Sequence, residues 1–185
     1  IKYILDLAVH TAISERPGPV LLDIPTNIQK IDIDPDGLEG YQPKPPSYDL
    51  ALVKEQIDQF IADYKKAERP VILIGGGIWS ARAAYLAREL GAWLKAPCLP
   101  TWNAIDIFTS DYEYYRGRVG TFGGPGRNFA IQNSDLLLAI GTRISGRITG
   151  GYVESFARVA KKYIVDVDMA LLYPHLQQVR GDVNI

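Results

Sequence analysis

Two arginines, Arg143 and Arg147, lie in GTRISGRITG at 141–150, which follows directly on the apolar stretch DLLLAIG at 135–141. A guanidinium pair at the carboxyl end of a buried strand, flanked by glycine, suits a pyrophosphate, because each planar fork can grip two oxygens. The competing reading is a solvated surface charge, the usual case for an isolated arginine. A second candidate is the turn Gly75-Gly76-Gly77 at the end of VILI. Glycine serves where a strand turns sharply into a helix and a phosphate must approach the backbone.

Gly75-Gly76-Gly77-Ile78-Trp79-Ser80 nearly fits G-x-G-x-x-G, with Ser80 in the last place. A dinucleotide fingerprint also needs an acid at the end of the second strand to hold the ribose. That stretch reads Pro97-Cys98-Leu99-Pro100-Thr101, with no carboxylate. The ordinary NAD signature therefore lacks its second half, and the glycines alone leave close helix–strand packing and nucleotide binding equally open. A third run, Arg118 to Arg127, is glycine-rich and precedes a helix. Backbone N–H groups in such loops suit anionic or flat ligands. Three glycine-bearing segments that follow or face strand ends favour a nucleotide crevice.

Other reactive side chains are scattered. His10 and His175 have no Cys or His cluster near them in sequence, so no metal site is assigned. Asp32, Asp34 and Asp36 alternate in sequence but lack the later Glu of a calcium loop, and solvation is the simpler reading. Tyr112, Tyr114 and Tyr115 could stack on a ring or pack in a subunit contact. Cys98 reads as a small buried strand residue. No Ser/His/Asp or Cys/His arrangement stands out, and no catalytic residue is assigned.

The elements that must position these residues alternate. Residues 2–15 place Ile4, Leu5, Ala8, Val9, Ala12 and Ile13 on one helical face, and Pro19–Pro25 reads as a strand closed by proline. This helix–strand pair cannot bury its faces alone. Residues 34–48, rich in proline and glycine, read as a linker. Beyond it the pattern predicts a helix capped by Asp49, a strand at 71–75, a helix from about Ser80 to Lys95 and a strand at 97–101. A loop over 102–124 precedes a helix at 125–133 and a strand at 135–141. A helix at about 151–161, a strand at Tyr163–Asp168, a short helix over 169–178 and a last strand at Val179–Val183 complete it. This βα rhythm, with near-continuous apolar strands, argues for a parallel sheet covered on both faces, with ligands beyond the carboxyl ends of the strands.

The chain of 185 residues carries a net charge of −1 and one cysteine. Nothing in it forms a basic footprint for nucleic acid, and no run approaches the roughly 18–20 apolar residues of a membrane span. An internal disulfide is impossible, and the expected compartment is the cytoplasm. Ile1 is not an initiator methionine, and the opening reads as the middle of something, so a piece of a longer protein is expected.

The order of motifs resembles the thiamine-diphosphate-dependent enzymes of the acetolactate synthase group. PGPVLLDIP (17–25) resembles the closing strand of their pyrimidine-binding domain. RPVILIGGGI (69–78), SDLLLAIGTRISGRITG (134–150) and YIVDVD (163–168) resemble successive strands of their central domain. The resemblance implies residues 1–33 as a remnant of the pyrimidine-binding domain, 34–48 as linker and 49–185 as the central domain. That domain would be α/β, a Rossmann-like six-stranded parallel sheet with helices on both faces. It further implies thiamine diphosphate and Mg²⁺ in the full-length parent, action on 2-oxo acids, and a homodimer or homotetramer. FAD, ADP or nothing would sit in the central domain. The implied contacts are Gly75, Gly76 and Gly77, then Thr101 and Trp102, and Gly120, Thr121 and Phe122 along the cofactor. Gly141, Arg143 and Arg147 would lie near its pyrophosphate, with Asp166, Val167, Asp182 and Val183 near the adenosine end.

This chain departs from the group's R-F-D-D-R-V-T-G, having Ser145 and Gly146 in place of both acids, and the Met-His pair common in the glycine loop is absent from Gly120–Gly124. The family's activating glutamate and its G-D-G…N motif are not found either; Gly181-Asp182-Val183-Asn184 reads as a strand end. The alternative is therefore an assembly domain that binds no nucleotide. An NAD-dependent deacylase lacks its catalytic histidine and zinc cysteines. The apolar face of 2–15 and the edge of 19–24 predict self-association. Light scattering should report a species larger than a monomer, and a clean monomer with residues 1–33 protected from hydrogen exchange would contradict it.

Overall fold

Branched apolar runs become strands here only where a neighbouring segment satisfies their backbone. The computed structural model describes residues 1–44, 49–167 and the backbone of 183–184, and the chain separates into two compact units, Ile1–Tyr48 and Asp49–Ile185. In the first unit, α1 (Lys2–Ile13) has the expected apolar face but buries no residue, and Ile4, Val9 and Ile13 are exposed. Tyr41 returns against Tyr3 and His10 with ring centroids 5.5 and 5.3 Å away, which makes His10 a packing residue. The strand expected over 19–24 does not form. Its N–H and C=O groups have no strand beside them among the described residues, and Leu21 is 91% exposed. A single turn, α2 (Thr26–Gln29), follows. Asp34 then caps a 3₁₀ turn at Pro35–Gly37 by accepting from the Asp36 N–H at 3.1 Å.

The second unit opens with α3 (Leu50–Tyr64). Asp49 caps it, its Oδ1 accepting from the N–H groups of Ala51 and Leu52, both at 3.0 Å. The order continues β1 (Pro70–Ile74), α4 (Gly77–Ser80), α5 (Ala84–Leu94), β2 (Cys98–Pro100), α6 (Pro125–Gln132), β3 (Leu136–Ile140), α7 (Gly146–Thr149), β4 (Lys161–Val165) and β5 (Val183–Asn184). Every pairing is parallel and the spatial order is β2-β1-β3-β4-β5. The register sets Ile72 level with Cys98 and Leu138, and Leu138 level with Tyr163. Side chains alternate across the sheet. Ile72, Ile74, Cys98, Leu138 and Tyr163 form one core with Phe60 of α3 and Ala87 of α5. Val71, Leu73, Leu99, Leu137 and Ile164 form the other, with Ile131 of α6 and Phe156.

Several expectations are corrected. The described residues give five strands rather than six, the fifth only two residues long. On the outer side of β2, within the expected loop, Tyr115 makes a single parallel bridge to Cys98, and the Cys98 N–H donates to the Tyr114 carbonyl at 2.8 Å. The Arg116 N–H donates back to the Cys98 carbonyl at 3.1 Å, and past Gly117, at φ +91°, the Val119 N–H donates to Pro100 at 3.2 Å. The helix expected from Ser80 is interrupted at Arg82 (φ +54°) and resumes at Ala84. The helix expected over 151–161 is absent, because Gly150, Gly151 and Ala157 all have positive φ; only a 3₁₀ turn at Val153–Ser155 remains. The short helix over 169–178, and residues 179–182 of the last strand, lie outside the described residues.

Two carboxylates tie the amino ends of the strands. Asp63, at the end of α3, accepts from Lys161 Nζ at 2.5 Å, from the Tyr163 hydroxyl, and from Gln59 Nε2 at 2.9 Å. Lys161 first, then Tyr163 and Gln59, hold its carboxyl well below the usual range. Asp135 accepts from the N–H groups of Glu68 at 2.8 Å and Arg69 at 2.9 Å, just ahead of β1. Its own C=O accepts from the Lys161 N–H at 2.9 Å, at the start of β4. Partial burial raises its pKa, but the backbone donors at Glu68, Arg69 and its own N–H, together with the Arg69 charge, leave it lowered.

Asp135→Ala is therefore expected to cost about 2 kcal/mol in urea unfolding, since each charge-assisted bond to the backbone is lost. The folded pKa lies below the unfolded value of about 3.9, so this stability is whole above that pH and is lost as pH falls through the folded pKa. The wild-type chain should lose more stability than the variant on acidification below about pH 4.

Candidate functional site

The sheet order reverses between β1 and β3, since β1 connects to β2 on one side and the chain then crosses to β3 on the other. In parallel sheets this is where the carboxyl ends leave a crevice. Here two glycine turns meet across it. The Gly75 N–H donates to the Ile140 carbonyl at 2.8 Å, the Gly77 N–H to Gly141 at 2.9 Å, and the Gly141 N–H to Val165 at 2.8 Å. A Cβ on Gly75 would lie 2.1 Å from the Gly141 oxygen, and one on Gly77 2.8 Å from the Gly141 Cα. Gly141 itself has φ +61°, a conformation other residues adopt at a cost. Gly76 faces Asn103, whose Cβ a side chain at 76 would meet at 2.9 Å.

The third glycine segment docks on the arginine loop. Gly120 has φ +96°, and a Cβ there would lie 2.8 Å from the Arg147 carbonyl. The same carbonyl accepts from the Thr121 N–H at 3.0 Å. Asn128 of α6 locks the turn from both sides: its Oδ1 accepts from the Gly120 N–H at 2.9 Å, and its Nδ2 donates to the Gly120 carbonyl at 3.1 Å.

Thr101 is buried directly after β2, its N–H donating to Ile74 at 2.8 Å. The next residue, Trp102, is 57% exposed and meets Phe122, 67% exposed, edge-on at 5.5 Å. The Arg118 guanidinium lies 4.9 Å from the Trp102 ring centroid. Arg143 and Arg147 are both exposed, and neither guanidinium has an acidic partner among the described residues. Asp166 and Val167 follow β4 at the same rim, Asp166 half-buried and Val167 exposed.

The structure thus brings together Gly75 to Gly77, Thr101, Trp102, Gly120 to Phe122, Gly141, the two arginines, Asp166 and Val167, all at the carboxyl ends of the strands. Asp182 lies outside the described residues. Val183 pairs level with Tyr163, two positions short of the end of β4, and so does not reach the rim. The glycine N–H groups expected to cradle phosphate are engaged: those of Gly75, Gly77, Gly120 and Gly141 all donate within the protein. What the rim offers an anion is guanidinium, and what it offers a flat ring is Trp102 with Phe122. Sequence reading missed Arg118 on Trp102 and Asn128 on Gly120. No short motif carries either, because both are contacts between side chains and distant loops.

The other candidates resolve elsewhere. Tyr112 and Tyr115 stack near Phe108 at 5.0 and 6.4 Å, and the Tyr112 hydroxyl donates to the Arg88 carbonyl at 2.6 Å. Cys98 is fully buried, and burial pushes its thiol up to about 12. Among the described residues no group of three or more His, Cys, Asp or Glu is placed to hold a metal ion, and no helix is long and apolar enough to cross a membrane.

Comparison with known proteins gives consistent matches. The family profile described as thiamine pyrophosphate enzyme, central domain, matches residues 57–183. The chain is 36% identical over 181 residues to the acetolactate synthase isozyme 2 large subunit of Escherichia coli (strain K12), covering 96% of this chain and 32% of that protein. It is 37% identical over 197 residues to the probable chloroplastic acetolactate synthase 2 of Oryza sativa subsp. japonica, covering 100% and 28%. It is 36% identical over 175 residues to the glyoxylate carboligase of Escherichia coli O157:H7, covering 91% and 28%. The chain thus spans about a third or less of the length of these relatives.

Gly75→Ala is expected to destabilise the second unit by about 3 kcal/mol, since the atom it would meet is backbone and cannot rotate away. Gly146→Ala, where a Cβ meets nothing within 4 Å, should change stability by no more than about 0.5 kcal/mol. Urea midpoints of the two variants compare them directly.

Proposed function

The chain belongs to the central-domain family of thiamine pyrophosphate enzymes, and from that premise we propose that its parent acts on 2-oxo acids in the manner of an acetolactate synthase. The parent breaks the bond next to the carbonyl and passes the fragment to an acceptor or releases it. Thiamine diphosphate, with Mg²⁺, supplies carbanion stabilisation when bound. To this chain we assign binding and scaffolding roles within that parent. The isolated 185-residue chain is expected to show no turnover with thiamine diphosphate, Mg²⁺ and pyruvate; measurable product would overturn that part.

Within this unit we assign the rim to an adenine nucleotide, FAD or ADP. The observation that carries this reading is the exposed pair Arg143 and Arg147, beside the aromatic pair Trp102 and Phe122, at the point where the sheet order reverses. The guanidiniums would take the phosphates bidentately, Trp102 and Phe122 would cover the flat ring, and Asp166 with Val167 would lie toward the adenosine. The engaged glycine N–H groups favour a second reading, a scaffold that holds an oligomer together and takes no nucleotide.

Thermal unfolding with FAD or ADP separates the two. A bound nucleotide at 100 times its Kd stabilises by about 2.7 kcal/mol. Arg147→Ala and Trp102→Ala should each reduce that stabilisation and leave the unliganded midpoint nearly unchanged, because both side chains are exposed. No saturable shift with either nucleotide would leave the scaffold.

A further inference from the structure

Outside the rim, a cavity of about 420 Å³ lies on the flank of β2, between that strand and the first turn of α6. Its floor is apolar, with Pro97, Leu99 and Ala130, and two cations, Arg116 and Arg127, stand in its wall. None of its lining residues is acidic; Gly124 to Arg127 close the glycine-rich run whose Gly120–Phe122 turn serves the rim, but none of the lining residues is among those turn residues. Both guanidiniums are held in place. Arg127 Nε donates to the Arg116 carbonyl at 2.7 Å. The Arg127 head also sits in a slot between two glycines, where a Cβ on Gly117 would lie 2.2 Å from its Nε and one on Gly124 2.0 Å from its Nη1. Arg116 Nη1 donates to the backbone carbonyls of Glu113, at 2.5 Å, and Tyr115, at 2.9 Å. Neither arginine is paired with a carboxylate among the described residues.

A flexible surface arginine pays rotamer entropy each time it grips an anion, and fixing it beforehand removes that cost. Here two are fixed, by backbone rather than by acids, beside a hollow of the size small ligands occupy. We infer that this cavity is a binding site for a small organic carboxylate, with its charged end on Arg116 and Arg127 and its apolar body over Pro97 and Ala130. The site is independent of the nucleotide reading of the rim.

Cyclohexanecarboxylate is a suitable probe, with its neutral carboxamide and inorganic phosphate as controls, followed by calorimetry or ligand-observed NMR on the full chain. Saturable binding of the carboxylate is expected, and Arg127→Gln should weaken it by about tenfold or more, the loss of a charge-assisted pair. Ala130→Leu, which fills the floor and keeps both guanidiniums, should weaken it as well. Far-UV circular dichroism and the urea midpoint show that each variant is folded. Absence of saturable binding, equal binding by folded Arg127→Gln, or binding of the carboxamide or phosphate as tight as that of the carboxylate would each overturn the proposal.

Discussion

The close approach of Gly75 and Gly77 to Gly141 sets the geometry of the whole rim. Two strand ends that leave a parallel sheet in neighbouring turns ordinarily stand apart by the width of their side chains. Here Gly75, Gly77 and Gly141 have none, and backbone meets backbone. That contact fixes where β3 delivers the arginine loop, and the Arg147 carbonyl then fixes where the Gly120–Thr121 turn settles. The last step places Phe122 against Trp102. The site is therefore a chain of contacts that starts in a steric requirement, and its polar groups are consequences of it.

The opposite end of the sheet works by charge. Asp135 and Asp63 gather the starts of β1, β3 and β4 through bonds to backbone and to Lys161. One end of the layer is thus closed by missing side chains and the other by carboxylates. Between them Leu73, Ile74, Leu137 and Ala139 are fully enclosed, while β4 also buries Lys162 and Tyr163.

Much of this was legible in the residues, for local reasons. VILI, DLLLAI and YIV announce strands because branched and apolar side chains run unbroken, although the last of these strands begins two residues earlier than expected, at Lys161. Asp49 announces a helix start because its carboxylate can reach two free N–H groups. The three glycine turns were visible as turns. Their partners were not, because a glycine marks a close approach without saying what approaches. The same run that suits a phosphate suits Gly141, and the difference lies sixty-odd residues away in the chain. The failures have a similar origin. Residues 19–24 carry the composition of a strand but no ladder beside them, and 151–161 carry helical spacing that the positive φ of Gly150, Gly151 and Ala157 overrides.

Cys98 has a consequence of its own. The thiol is enclosed in the sheet, accepts no solvent, and is held almost wholly protonated at neutral pH. An alkylating reagent therefore has nothing to attack while β2 stays docked. Because the chain carries no other sulfhydryl, the rate at which iodoacetamide consumes it counts the moments when that edge strand comes free, and gives a direct clock for the opening of the layer without any added label.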